Sequence, residues 1–235
     1  MKRFYKLVST HHQPQGWEVH LDGKPVKTPM KTLLLVPNEA LAEALVGEWS
    51  AQEETIEPDT MPMTQILSTQ IDRVSAQRDV MSGQILKFLD TDLLCYRAGQ
   101  EPPGQEQAQE KAWDPWLDWF EQCFDTRLET TTALAALNQP QAAHKAVMAY
   151  VDALDDARFT VLQLVVPLSG SLVLGIAFVE QAASPQQVFD AARVEESFKD
   201  EIYNAELYGR DPLQDQKDDA MRRDLEAAQR FLKLL

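Results

Sequence analysis

The sequence predicts an α+β protein: a small β-rich N-terminal domain with one packing helix, residues 1–57, followed by a larger all-helical orthogonal bundle, residues 58–235. Three observations predict it. Apolar residues alternate with period two before Pro37 and recur at helical spacing after it. The segment "IEPDTMP", Ile56 to Pro62, gathers prolines and acidic residues, as a linker does. No strand pattern follows that segment.

The first element is the β-like "RFYKLVST". In "GWEVHLDGKPVKTP" the residues Trp17, Val19 and Leu21 alternate with Glu18 and His20, Asp22-Gly23 supplies a turn, and "KPVKTP" answers as the return strand. "TLLLVP" starts another strand. Pro37-Asn38-Glu39 then caps "EALAEALVGEWSAQ", whose Leu41, Leu45 and Trp49 recur at helical spacing and lay one face on the sheet.

Beyond Pro62 the helical periods cover 66–74, 80–96, 116–124, 141–154, 159–181, 185–207 and 213–235. The Gln/Glu/Pro/Gly-rich stretch 98–112 reads as an exposed connection. In "KAWDPWLDWF", Asp114 as N-cap and Pro115 at the first helical position mark a helix start. Trp116, Trp119 and Phe120 then share one face, which suits either core packing or protein binding. "FTVLQLVVPLSGSLVLGIAFV", Phe159 to Val179, holds no charge over nearly a membrane span. Its central Gln163, Pro167, Ser169, Gly170 and Ser171, and the lack of flanking Lys/Arg clusters, predict buried helices broken near Pro167 to Gly170, with no membrane insertion.

Charge narrows the partners. Lys and Arg number 22 against 37 Asp and Glu, so the formal charge is 22 − 37 = −15, and phosphate backbones would repel the chain. Nucleic acid is therefore not an expected partner. Cys95 and Cys123 are far apart without a CxxC, which predicts buried free thiols in a reducing compartment. Met1-Lys2-Arg3 leads directly into a strand pattern without an apolar leader, as in a cytoplasmic or already processed protein.

The motifs of chemistry are missing: no GxGxxG, GxxxxGK[ST], HExxH or GxSxG occurs. Adjacent strand residues such as His11 and His12 point to opposite faces, and His20 and His144 stand alone, so no metal or cofactor is expected. Glu195-Glu196 beside Asp200-Glu201 could act as general acid and base in a hydrolase or isomerase, but nothing nearby supplies an electrophile. The profile favours a binding protein over an enzyme.

In order along the chain, "RFYKLV", "GWEVHLDGKPVKTP", "LAEALVGEWSAQ", "TMPMTQILSTQIDRV", "FLDTDLLCYRA", "WDPWLDWF" and "SGSLVLGIA" closely resemble the assembly chaperones that bind the α subunit of the F-type ATP synthase's catalytic head. The resemblance implies the same two-part fold. It implies a non-catalytic activity: holding the free α subunit, with its apolar intersubunit surface, until the hexamer forms. It implies no nucleotide or metal, and a bacterial cytoplasmic or mitochondrial matrix location. The family's C-terminal signature, an acidic pair before an aromatic residue and Gln, falls on Glu195-Glu196 with Phe198, where Lys199 replaces Gln. Counting back from Tyr208-Gly209, where the family has Trp-Gly, falls on "DEIYN" and Glu201 instead. Glu196 has the longer upstream match. The implied partner-binding set is thus Glu195, Glu196, Phe198 and Glu201, with Trp116 and Trp119 as the aromatic candidates.

Overall fold

The computed structural model describes residues 1–99, 102–202 and 212–235. These group into two compact units, one of residues 1–78, 156–161 and 226–235, the other of residues 79–155 and 162–225.

The first unit is built on a four-stranded sheet. Strands β1 (Val8–Gln13) and β2 (Gly16–Leu21) form an antiparallel hairpin from Val8↔Leu21 to Gln13↔Gly16. β3 (Lys24–Pro25) and β4 (Leu35–Val36) both pair with the other edge of β2, β3 along its end and β4 along its beginning. The succession of strands is therefore folded back: "TLLLVP" returns to β2 instead of extending outward. Prolines at 25, 29 and 37 lack the amide proton a ladder needs, which keeps these strands at two residues.

Asp22 and Gly23 both take positive φ, 49° and 79°, so the β2–β3 turn has the twist that suits a hairpin. The Asp22 carboxylate accepts from the amides of Lys6 and Leu7, which hold its pKa below the usual range. Gly16, at φ 144°, leaves no room for a side chain, since a Cβ would lie 2.6 Å from the Val36 carbonyl oxygen. His20 departs from the alternation by being buried, stacked on His11 at 4.0 Å and bonded to Glu18 at 2.8 Å.

Helix α1 (Glu39–Ser50) lies against β1 and β2 with Leu41 and Leu45 fully buried. Asn38 caps it, accepting from the Leu41 amide at 2.9 Å. Trp49, at the end of the same stripe, is half-buried and meets Tyr5 edge-on, while the Tyr5 hydroxyl donates to the Trp49 carbonyl. Helix α2 (Pro62–Thr69) has no cap from its own preceding residue. Glu48 of α1 supplies one, accepting from the Met63 and Thr64 amides at 2.8 Å each. Burial raises the pKa of this carboxyl even so.

Helices follow: α3 (Ser75–Leu86), α4 (Gln105–Phe124), α5 (Gln141–Ala153), α6 (Asp156–Ser169), α7 (Leu172–Val179), α8 (Pro185–Ala192), α9 (Val194–Ile202) and α10 (Pro212–Lys233). Among the described residues no named strand follows β4, although Tyr96 and Thr131 form one isolated parallel bridge.

The charge-free segment is α6 and α7, and every residue of α7 is buried. Pro167 lies inside α6; the break comes at Gly170, φ 71°, and Ser171, whose hydroxyl caps α7 through the Leu174 amide. Among the described residues no helix is long and apolar enough to cross a membrane. Asp92, fully buried, reinforces the start of α7 by accepting from the Val173 amide at 3.0 Å and the Leu94 amide at 3.0 Å. Desolvation lifts its pKa to about 6 against those bonds.

Three sequence expectations are corrected here. The stretch 98–112 is not simply a connection, because α4 begins at Gln105 and buries Gln105 and Gln109. Asp114-Pro115 therefore lies within a helix and does not start one. An internal proline costs about 3 kcal/mol, which full burial of Trp113 and Phe120 on either side, at about 2–3 kcal/mol each, outweighs. The thiols also differ from expectation: Cys95 is buried but Cys123 is exposed.

Candidate partner-binding site

The predicted residues converge on α9 and the helix beneath it. α8 starts with a capping box, Ser184 accepting from the Gln187 amide while the Gln187 side chain accepts from the Ser184 amide. It ends at Arg193, where the backbone leaves helical geometry before α9 begins. Two side chains one turn apart on α4 fix this junction. Trp113, with no exposed surface, donates its indole N–H to the Ala191 carbonyl at 2.7 Å. Gln109, equally buried, donates to Glu195 at 2.6 Å and accepts from the Ala98 amide at 2.6 Å.

The two neighbouring glutamates therefore have different environments. Glu195 turns inward to α4. Glu196 stays at the surface, its side chain 42% exposed, 3.4 Å from Arg193, which also lies 3.0 Å from Asp218 of α10. Phe198 is half-buried and lies over Gly104, where an added Cβ would be 3.4 Å from two of its ring carbons. Glu201 is exposed. Apolar burial fades along α9: Val188 and Ala191 of α8 are buried, but Ile202 is 45% exposed. Tyr208-Gly209, and the end of "DEIYN", lie outside the described residues.

Trp116 and Trp119 are half-buried on α4. Among the described residues no hydrogen bond or ring contact joins them to the glutamates. Trp113, Gln109, Arg193 and Asp218 were not picked out by sequence. Trp113 stands three residues before Trp116 at helical spacing and was legible in principle; a fully buried Gln inside a Gln/Glu-rich run gives no such signal.

The same geometry bears on acid–base chemistry. Glu195 has one oxygen occupied by Gln109, and neither the cleft between α4 and residues 127–132 nor the one lined by residues of 26–73 includes Glu195 or Glu196. Among the described residues no three His, Cys, Asp or Glu side chains are placed to hold a metal ion. What the arrangement offers is a surface carboxylate on a helix held rigidly from below.

Comparison with known proteins adds to this. A family model described as ATP12 chaperone protein matches residues 2–121. The chain is similar to the mitochondrial protein atp12 of Schizosaccharomyces pombe, 25% identical over 190 residues, covering 76% of this chain and 65% of that one. It is similar to the mitochondrial protein ATP12 of Saccharomyces cerevisiae, 23% identical over 227 residues, covering 83% and 70%. Among solved structures it superposes on Atp12 from Paracoccus denitrificans with a TM-score of 0.86 and 33% identity, covering 99% of this chain and 97% of that one. A putative chaperone from Agrobacterium tumefaciens gives 0.87 and 31%, covering 99% and 85%.

Proposed function

The chain belongs to the ATP12 chaperone family, and from that premise we propose that it binds the free α subunit of the F-type ATP synthase's catalytic head and protects it from aggregation before the hexamer assembles. The supporting observation is the 33% identity to a bacterial Atp12 over 99% of this chain. On this reading the protein performs no catalysis and needs neither nucleotide nor metal. It works where the catalytic head is built, the bacterial cytoplasm or the mitochondrial matrix.

In this proposal Glu196 and Glu201 face the α subunit from α9, while Glu195 and Phe198 hold that helix in place. Trp116 and Trp119 offer half-buried aromatic surface on α4, the helix against which α9 packs. A carboxylate that is water-exposed before binding and paired with Arg or Lys afterwards adds little to folding but much to recognition. Light scattering of α subunit during refolding tests the reading. The chaperone is expected to suppress aggregation equally with and without ATP; aggregation unchanged by its presence would overturn it.

A further inference from the structure

A second feature lies along α4. Glu106, Glu110, Asp114, Asp118 and Glu121 recur along α4 at intervals of three or four residues and line one wall of a cleft of about 750 Å³. Residues 127–132 form the other wall and add Glu129. Six carboxylates thus stand against two guanidiniums, Arg97 and Arg127. Glu106, Glu110, Asp118 and Glu129 have no ion-pair partner among the described residues, whereas Asp114 pairs with Arg97 and Glu121 with Arg127 at 3.9 Å.

An acidic stripe alone would be a solvated helix face. Two further observations point to a ligand. Arg97 lines the cleft with its side chain only 8% exposed, and its Nη1 has no hydrogen-bond partner, which leaves a charged donor buried and unsatisfied. A metal ion or a polyamine has no acceptor to offer it; a peptide carbonyl does. The opposite wall also carries open backbone groups beside the isolated bridge at Thr131. Thr131 accepts from the Arg97 amide and donates to the Cys95 carbonyl, both at 2.8 Å, so the neighbouring Thr130 and Thr132, exposed and without backbone partners among the described residues, present theirs to the other side.

We propose that this cleft binds an extended, Lys/Arg-bearing segment of a partner polypeptide. Its backbone pairs along Thr130 and Thr132, its cationic side chains meet the α4 carboxylates, and one carbonyl accepts from Arg97 after a small turn of the guanidinium. The inference does not depend on which protein supplies the segment.

The test is fluorescence anisotropy of a short labelled peptide alternating Arg and Thr, titrated with the full chain. Binding is expected, and the variant Glu110→Lys/Asp118→Lys, both on exposed positions, should weaken it by at least ~10-fold without lowering Tm. Glu53→Lys/Glu54→Lys makes the same charge change on other exposed residues and should leave affinity within ~2-fold, since distant surface charges are screened. Spermine should compete poorly. Equal loss in both variants, displacement by spermine at matched charge, or no binding at all would overturn the proposal.

Discussion

Gln109 donates its amide to the Glu195 carboxylate across 2.6 Å, so a residue without solvent exposure on α4 decides which way an acidic residue of α9 points. The next residue, Glu196, is left outside. This division of labour between adjacent glutamates leads to the first prediction.

Glu195→Ala should lower stability by about 1–3 kcal/mol, because it leaves the Gln109 donor buried and unpaired. Glu196→Gln should cost only ~0–1 kcal/mol, its carboxylate being 42% exposed in the pair with Arg193, yet should weaken capture of the α subunit by about 2–5 kcal/mol. Urea melts and α-subunit solubility, measured on both variants and on Glu201→Gln, check this. Capture lost in Glu201→Gln but intact in Glu196→Gln would transfer the contact to the later register.

Asp92 gives a pH dependence of definite sign. Its folded-state pKa, about 6, lies above the ordinary 3.8, so the native state binds the proton more tightly than the unfolded chain. The stability it contributes is therefore greatest at low pH and is lost as pH rises from about 4 to about 6. Relative to Asp92→Asn, the parent protein should gain roughly 2 kcal/mol between about pH 7 and about pH 4.5. A difference that stays constant over that window would mean the carboxyl is not desolvated.

The two thiols should react unequally. Cys123 is exposed and Cys95 is buried, its pKa driven up by desolvation and by the neighbouring Asp92 charge. Iodoacetamide under native conditions should modify a single site, abolished by Cys123→Ser. Mass spectrometry of the labelled peptides reads the result, and native labelling of Cys95 would contradict the packing around it.

Gly175 tests how closely α6 and α7 approach. An alanine there gains about 1 kcal/mol of helix propensity, but its Cβ would lie 2.4 Å from Val166 Cγ2 and 3.2 Å from Leu162 Cδ1. Overpacking typically costs ~1–3 kcal/mol, so Gly175→Ala should melt at lower temperature. A higher Tm would show that the two helices have room to part.

How far the sequence could be read depended on whether local and tertiary signals agreed. Asp22-Gly23 makes its turn from its own residues, and the structure has that turn. The same holds for Asn38 and for Leu41 and Leu45 on α1. At Asp114-Pro115 the local signal pointed to a helix start, but burial of Gln109, Trp113 and Phe120 on one face carries α4 straight through the proline. Long-range caps were illegible for a related reason: Glu48 serves α2, and Asp92 serves α7, across stretches where no local spacing rule applies. Of the partner-binding candidates, the family resemblance marks the acidic pair on α9, but the buried amide of Gln109 is what distinguishes its two members.

The first compact unit closes with the last residues of the chain: 226–235 belong with 1–78, and Asn38, the cap of α1, donates to the carbonyl of Leu234. During synthesis the N-terminal sheet and α1 therefore leave the ribosome long before the segment that completes them. Folding of this unit therefore waits for a segment distant in the sequence, and a nascent chain stalled before Glu226 exposes an unfinished apolar face. A member of a chaperone family thus passes through an incomplete state of its own.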